Sequence, residues 1–562
     1  MSSDATTAPV GGARLGASSV GVPAVARRPW RTNAWGMRAA GVFGLLLLIG
    51  LSIAIVIGAA ERASFLAPPS LSPALHGHIP AWMAGPLHHL WGSLSHNRGT
   101  LKWDFSLAVI GMYLAYLLVL LCVPFLRARW LIASIVVLHV VFFLAPPLPL
   151  TDVFNYLNYG RMGFIHHLNP YATIPMLEPH SDPAFAVSNW HHLLSPYGQL
   201  FTLFTYLLAP LGVSAGFWVL KASLALASLS ALLLVWRCAQ LLGRDPVLPV
   251  AFVGLNPLVM VWGLGGDHND FFMILLMVFA FYLLLRVEAG RGTIGIRPRP
   301  ARRPALAVSP GRSRIPSGGN GANGAGARIG EMFGRARALP GAVRRGDGRA
   351  ASALTRWPPP AEALAGAALV SAIAIKASAG LLLPILFFGT RRRRPLLIGA
   401  LAGAVVLALV SLIAFGPHLP NLSDQSKVVT NVGLPNLLGF ALGYGGVTTG
   451  LQSFFSGVLV LTVVACSVWA YRARDWLLPA GVAMLVLLMT LSWELPWYVF
   501  WLLPLAALAR RRFLRAAALV MGAYLILAWM PLVTDLLSGL KFRPTATPLG
   551  EAHARQSKKL LH

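Results

Sequence analysis

Residues 105–161 read FSLAVIGMYLAYLLVLLCVPFLRARWLIASIVVLHVVFFLAPPLPLTDVFNYLNYGR. Two apolar runs, 105–126 and 130–146, flank a short turn carrying Arg127 and Arg129. A stop at Pro146, Pro147 and Pro149 then hands over to a polar segment that opens at Asp152. A helix crosses the hydrocarbon core with roughly 17–25 mainly apolar residues and satisfies its backbone within itself. Both runs fit that length, so the stretch reads as two crossings joined by a basic turn and followed by polar chain at the membrane boundary.

The same pattern recurs outward in both directions, at 38–60, 214–236, 248–265, 270–286, 395–415, 451–471, 476–492, 497–509 and 514–533. The apolar stretch 361–389 is too long for one crossing and short for two, with Lys376 at its middle and Ala377, Ser378 and Gly380 behind it. It reads as a hairpin of two short helices, for a total of about thirteen spans. The 562 residues are 56% hydrophobic and only 11% charged, against about 25% charged in soluble domains. That excludes a water-soluble fold, and with it a soluble nucleic-acid binder, despite the formal charge of +28. Cys122, Cys238 and Cys466 all lie in apolar runs, which argues against a disulfide framework or a zinc cluster. The expected fold is all-α, a polytopic membrane helical bundle with amphipathic juxtamembrane helices on the outer face.

Orientation follows from the excess of Lys and Arg on cytoplasmic loops. If Arg27, Arg28 and Arg31 are inside, one alternating assignment also puts inside Arg127 and Arg129, Arg237 and Arg244, Arg391 to Arg394, Arg472 and Arg474, and Arg510 to Arg512. Reading 361–389 as one span would flip every later loop. Residues 1–35, rich in Ala, Gly, Ser and Thr, read as a disordered cytoplasmic tail rather than a signal peptide. A membrane module at 36–286 precedes a basic insert at 287–358, and further membrane helices at 359–534 precede an external tail at 535–562. From Arg286 to Arg356 fifteen arginines stand against Glu288, Glu331 and Asp347. Such a segment cannot bury enough apolar surface to fold, and its charge suits anionic lipid rather than nucleic acid.

Fourteen of the fifteen histidines fall in the expected external loops, with only His139 inside a span. Asp152 stands at the start of an amphipathic helix, with Val153, Tyr156, Leu157, Gly160 and Phe164 on one face and Asp152, Asn155 and Tyr159 on another. Such a helix would lie in the interface plane. Asp152 would there either cap free N–H groups or serve as an ionised general base. His166, His167, His191 and His192 lack metal-ligand spacing. Gly265 to Asp270 packs Asp267, His268, Asn269 and Asp270 between two spans, either as a polar turn capping the next helix or as the lining of an aqueous cavity. Lys376 would snorkel or hold a lipid phosphate. An aromatic belt accounts for Trp497 and Tyr498, but not for Glu494.

Asp152-Val153 with Tyr156, Gly160-Arg161 and Asn169-Pro170-Tyr171 resembles the first catalytic loop of the GT-C membrane glycosyltransferases. Within that fold the chain is most similar to the bacterial polyprenyl-phosphate-mannose-dependent alpha-mannosyltransferases. Three further segments carry the likeness: Asn256-Pro257 leading to His268-Asn269-Asp270, Ile375-Lys376 leading to Leu383-Pro384, and Trp497-Tyr498 with Trp501 to Pro504. Their shared order covers residues 105 to 510. The chain departs from the family where Val153, not a second acid, follows Asp152, so that a second acid must come from Asp267, Asp270 or Glu494. The insert 287–358 is a second departure.

The resemblance implies an inverting transfer of a sugar, by family weight mannose, from a polyprenyl-phosphate donor in the membrane to a glycan or glycolipid acceptor of the cell envelope. It implies Asp152 as base and Lys376 and Arg161 as phosphate ligands. It places Asn155, Tyr156, Tyr159, Asn169, Tyr171, Asp267, His268, Asn269, Asp270, Glu494, Trp497 and Tyr498 about the substrates. No cofactor is expected, a divalent metal stays open, and no nucleotide-binding glycine loop is apparent. A transporter or lipid flippase is the rival; it would bury ionisable groups at mid-membrane, often in two related halves. An oligosaccharide polymerase or ligase would share the outer-face layout.

Overall fold

The computed structural model describes residues 34–60, 81–86, 98–148, 152–291, 360–420 and 428–540. The N-terminal tail, most of the loop 61–104, the basic insert from residue 292 and the C-terminal tail from 541 lie outside the described residues. Within them all regular structure is helical, and every expected span has a helical counterpart. Among the described residues, six helices are long and apolar enough to cross a membrane: Ala34–Ala60, Thr100–Phe125, Gln199–Leu241, Asp270–Gly290, Arg393–Phe415 and Thr449–Ala473. There are seven if Arg512–Ala528 and Pro531–Gly539, which meet at 65°, make one broken span. Five shorter apolar helices, Ala128–Phe143, Ala361–Ile375, Ala377–Gly389, Leu477–Thr490 and Pro496–Leu508, fill other expected positions.

Length divides these helices by environment. Arg393–Phe415 and Thr449–Ala473 turn apolar side chains outward, Ile413 at 86% and Leu461 at 70% exposure, a surface suited to lipid rather than water. Val499 to Ala509 is buried throughout, and a short or broken helix is tolerated at membrane depth where protein surrounds it.

The chain turns back on itself at Lys376. The helix Ala361–Ile375 ends there in extended backbone, φ −153° and ψ 124°. A Cβ on Gly399 would strike the Ala363 carbonyl, and one on Gly403 would lie 3.2 Å from the Ala367 Cα. These contacts pair Ala361–Ile375 and Arg393–Phe415 in parallel, so the chain between them must return. The helix Asp270–Gly290 packs against Ala361–Ile375, and an ion pair pins each end. Arg291 meets Glu362 at 2.8 Å, and Lys376 meets Asp270 at 2.9 Å. Opposite charges at both ends fix an antiparallel register that apolar packing alone would let slide.

Two details differ from the sequence expectation. The helix Asp152–Phe164 does not rest in the interface with a wet polar face. Asn155 and Tyr159 are as buried as Val153 and Tyr156, because the loop 175–197 folds over them. The region 147–213 also contains the helix Gln199–Leu208, whose buried Phe201, Thr202, Thr205 and Leu208 follow helical spacing. Gly198 precedes it and donates its N–H to the Ile375 carbonyl at 3.2 Å. A Cβ at Gly198 would strike the Ala374 carbonyl. Gly198→Ala should therefore push apart the loop and the residue before Lys376, at about 1–3 kcal/mol for overpacking. The check is the thermal midpoint in detergent, which should fall; an unchanged midpoint would show that this contact gives way freely.

Candidate active site

Asp152 begins the helix Asp152–Phe164 directly after the proline stop, so its carboxylate sits at a helix end rather than within a crossing. Facing it is a distorted turn. Residues Val259–Leu264 wind as a π-helix, a form found mostly as single turns at functional sites. Asp267 then takes a left-handed conformation, φ 56°, which is uncommon for a non-glycine residue. This unwinding aims His268 back at the Asp152 helix: its Nδ1 lies 3.4 Å from Asp152 Oδ2. The His268 ring stacks on the Trp497 indole, with centroids 3.7 Å apart and planes 14° from parallel.

Asp270 opens the next helix and is held from two sides. Lys376 Nζ donates to its two oxygens at 3.0 and 2.9 Å, and Trp501 Nε1 donates to Oδ1 at 2.5 Å. The ammonium also lies over the Tyr498 and Trp501 rings, 4.8 and 5.2 Å from their centroids, a cation–π arrangement. Five segments far apart in sequence thus meet: the loops around Asp152 and Tyr197, the His268 turn, the Lys376 break and the Trp497–Trp501 helix. Access divides the charged members. The Asp152 side chain keeps 15% of its surface, against 1% for His268. Lys376 keeps 25% and Asp270 none. Only Asp152 and Lys376 can meet a substrate directly.

Burial pushes the Asp152 carboxyl up to about 6, Lys376 pulls against that rise, and Asp270 adds to it. It remains mostly ionised at neutral pH and able to take a proton. Burial, then the Lys376 charge, holds His268 well below the usual imidazole range, so its ring is neutral. The neutral ring lies beside the carboxylate at 3.4 Å, longer than a normal N–H···O hydrogen bond, and with Trp497 it walls one side of Asp152. Burial likewise raises Asp267 to about 7 and Glu494 to about 8.

The other expected residues are placed as follows. Tyr156 packs edge-on to Tyr197 at 4.6 Å, and its hydroxyl faces the Asn269 N–H at 3.5 Å. Asn155 latches the covering loop by accepting the Asn189 and Trp190 N–H groups at 3.1 and 3.2 Å. Tyr159 donates to the Leu193 carbonyl. Asn169 donates to Phe415 O at 2.6 Å, and the Tyr171 hydroxyl donates to Thr202 at 2.8 Å; both tie the loop to neighbouring helices. Arg161 is not brought to the cluster. It pairs with Asp182 at 2.8 Å, which His166 also meets at 2.7 Å, and it lies more than two helical turns beyond Asp152. The Glu494 backbone is tied to Thr430, and Thr430 is on a different loop from the Lys376 cluster.

Asp267 finds Lys221, whose Nζ is 3.6 Å from its Oδ2 and donates to the Ala145 carbonyl at 2.6 Å. Lys221 was missed from the sequence, although an ionisable residue inside an apolar run is itself a signal. Tyr197 was also missed as a site residue, and its hydroxyl lies against Asp152. So was Trp501, which the sequence offered only as part of the Trp497 to Pro504 motif. Among the described residues, no three His, Cys, Asp or Glu side chains gather as a metal site.

Residues 38–392 match the family model described as alpha-(1->6)-mannopyranosyltransferase, N-terminal domain. The chain is 27% identical over 423 residues to the alpha-(1->6)-mannopyranosyltransferase Rv1459c of Mycobacterium tuberculosis, covering 67% of this chain and 65% of that protein. It is 26% identical over 416 residues to alpha-(1->6)-mannopyranosyltransferase A of the same organism, with the same coverage. The chain thus spans 65% of the length of each relative it matches. No solved structure matches. The likeness agrees with the resemblance carried by the motifs around Asp152, His268 and Lys376, and with a family model covering well over half of its residues the chain belongs to the alpha-(1->6)-mannopyranosyltransferase family.

Proposed function

We propose that this protein is an integral membrane mannosyltransferase, moving mannose from a polyprenyl-phosphate donor to an envelope glycan or glycolipid acceptor at the outer face of the membrane. The observation that carries this is the convergence of an accessible carboxylate, Asp152, and an accessible ammonium, Lys376, on one site. Glycosyl transfer from a lipid phosphate needs those two charges. The acceptor hydroxyl attacks the anomeric carbon from the face opposite the phosphate and gives its proton to Asp152. The bond from the anomeric carbon to the phosphate oxygen breaks, and the polyprenyl phosphate leaves as an anion beside Lys376. A positioned base contributes about 10²–10⁴-fold, and a fixed cation stabilises the charge developing on the leaving group.

His268 bounds Asp152 on one side at 3.4 Å. The side-chain oxygen and nitrogen of Asn269 and the Trp497 Nε1 are buried without hydrogen-bond partners. Buried polar groups are normally paired, so substrate binding must open this packing before sugar hydroxyls can meet these three atoms. The scheme needs no cofactor beyond the donor lipid. Support for an outer-face site comes from the ends of the helices. Asp270 and Lys376 are at the opposite ends of their helices from Arg291 and Glu362, and the arginine-rich turns mark the cytoplasmic ends. Cys122, Cys238 and Cys466 are all buried, so a single cysteine placed at exposed Asn189 would report the sidedness with an impermeant thiol reagent.

The activity test uses membranes containing the full chain, radiolabelled polyprenyl-phosphate mannose and a mannoside acceptor. Label should pass to the acceptor, and its absence with the chain present would sink the proposal. The pH profile is a second check. Because burial raises the Asp152 carboxyl to about 6, its base form is present above that pH and lost below it. Transfer should fall about tenfold per pH unit below 6, as expected for one essential base. The residual rate of Asp152→Asn should lack this limb; an identical limb in that variant would assign it to another group.

A further inference from the structure

Beside the base, on the covering loop, lies a cluster of half-buried rings that the transfer chemistry does not use. Trp190 stacks parallel to Tyr197, with centroids 6.0 Å apart and planes at 7°. Trp493 lies tilted against Trp190, at 6.3 Å and 46°. Tyr197 in turn lies against Asp152, so a row of rings leads from the catalytic carboxylate to Trp190 and Trp493. Burial alone does not account for them, since both indoles keep part of their surface exposed. Position does not look accidental either. The Asn155 side chain accepts the backbone N–H groups of Asn189 and Trp190 and donates to Asn189 Oδ1 at 3.0 Å. The helix carrying Asp152 thereby sets the place of Trp190 through part-buried hydrogen bonds.

We infer that Trp190 and Trp493 form the subsite that stacks the acceptor sugar, an uncharged pyranose, next to Asp152. This rests on the proposed transferase activity. A pyranose presents an apolar C–H face, which suits the negative face of an aromatic ring. The acceptor hydroxyl must come within hydrogen-bond reach of the base, so the acceptor ring occupies space adjoining Tyr197, whose half-buried neighbour is Trp190. The donor phosphate belongs instead with Lys376, whose ring neighbours are Tyr498 and Trp501.

The test uses the full chain in lipid nanodiscs and octyl α-(1→6)-dimannoside as the probe, with two readouts. Saturation-transfer NMR reports binding without donor or turnover. Initial rates with polyprenyl-phosphate mannose report the Michaelis constants for acceptor and donor separately. Trp190→Ala should abolish the NMR contact and raise the acceptor KM about tenfold, the size expected for a lost aromatic stack, while the donor KM holds. Trp190→Phe should restore most of both, which excludes misfolding as the cause. If transfer occurs and the acceptor KM of Trp190→Ala equals that of wild type, the subsite is wrong and the transferase reading stands. If the Trp190-dependent NMR contact is present but no label moves, the subsite stands and the proposed reaction fails. Absence of both overturns both.

Discussion

Asp152→Asn is expected to lower mannosyl transfer by about 10²–10⁴-fold, the usual contribution of a positioned general base, with the amount of folded protein unchanged. The substitution keeps the shape of the side chain and its position opposite His268, and removes only the ability to take a proton. Rates are to be measured at saturating donor and acceptor in membranes with matched protein level. The size of the loss separates Asp152 from the other acids. Asp270 has no exposed side-chain surface, Asp267 is bound to Lys221, and neither can reach an acceptor. A rate for Asp152→Asn within about twofold of wild type would be far less than loss of a base demands, and would remove Asp152 from that role.

Lys376→Ala is expected to act on folding before chemistry. It strips the cation from a carboxylate that is wholly buried, leaving Asp270 with the Trp501 N–H as its remaining partner among these contacts. Breaking a buried pair by removing one side costs about 3–5 kcal/mol, a large share of the roughly 5–15 kcal/mol that holds a typical protein folded. It also releases one of the two clamps that register Asp270–Gly290 against Ala361–Ile375. Monodisperse yield in detergent should drop sharply. The double variant Lys376→Met with Asp270→Leu replaces the pair by apolar side chains, a change that is often neutral, and should recover the yield. If Lys376 also stabilises the leaving phosphate, that recovered protein will still fail to transfer mannose. Wild-type yield from Lys376→Ala would show that the pair carries no structural weight, and wild-type transfer by the double variant would exclude Lys376 from the reaction.

These two residues show how unevenly the site could be read in advance. Asp152, His268, Asn269, Asp270 and Lys376 each stand out as polar positions beside long apolar runs, where a charge is costly unless it has a use or a partner. That signal is local, and it located three chain segments of the cluster. It could not say which acid is reachable. Asp152 and Asp270 look alike in sequence, yet the tertiary packing seals one and leaves the other partly open. The same limit explains Arg161, a plausible phosphate ligand by motif that is already engaged by Asp182, which His166 also meets. It also explains Lys221, whose partner Asp267 is supplied from the turn before His268.

The sequence by itself determined that the chain is a helical membrane bundle, where its apolar helices lie, and which family it belongs to. Those properties depend on run length, composition and motif order, all of which are written along one dimension. Only the tertiary structure decided that Asp270 pairs with Lys376, 106 residues away, that His268 turns toward Asp152, and that Asn155 serves as a latch for the loop bearing Trp190. Each depends on the direction and depth at which helices cross, and a few ångströms of sliding would change every partner while leaving the hydrophobic pattern intact.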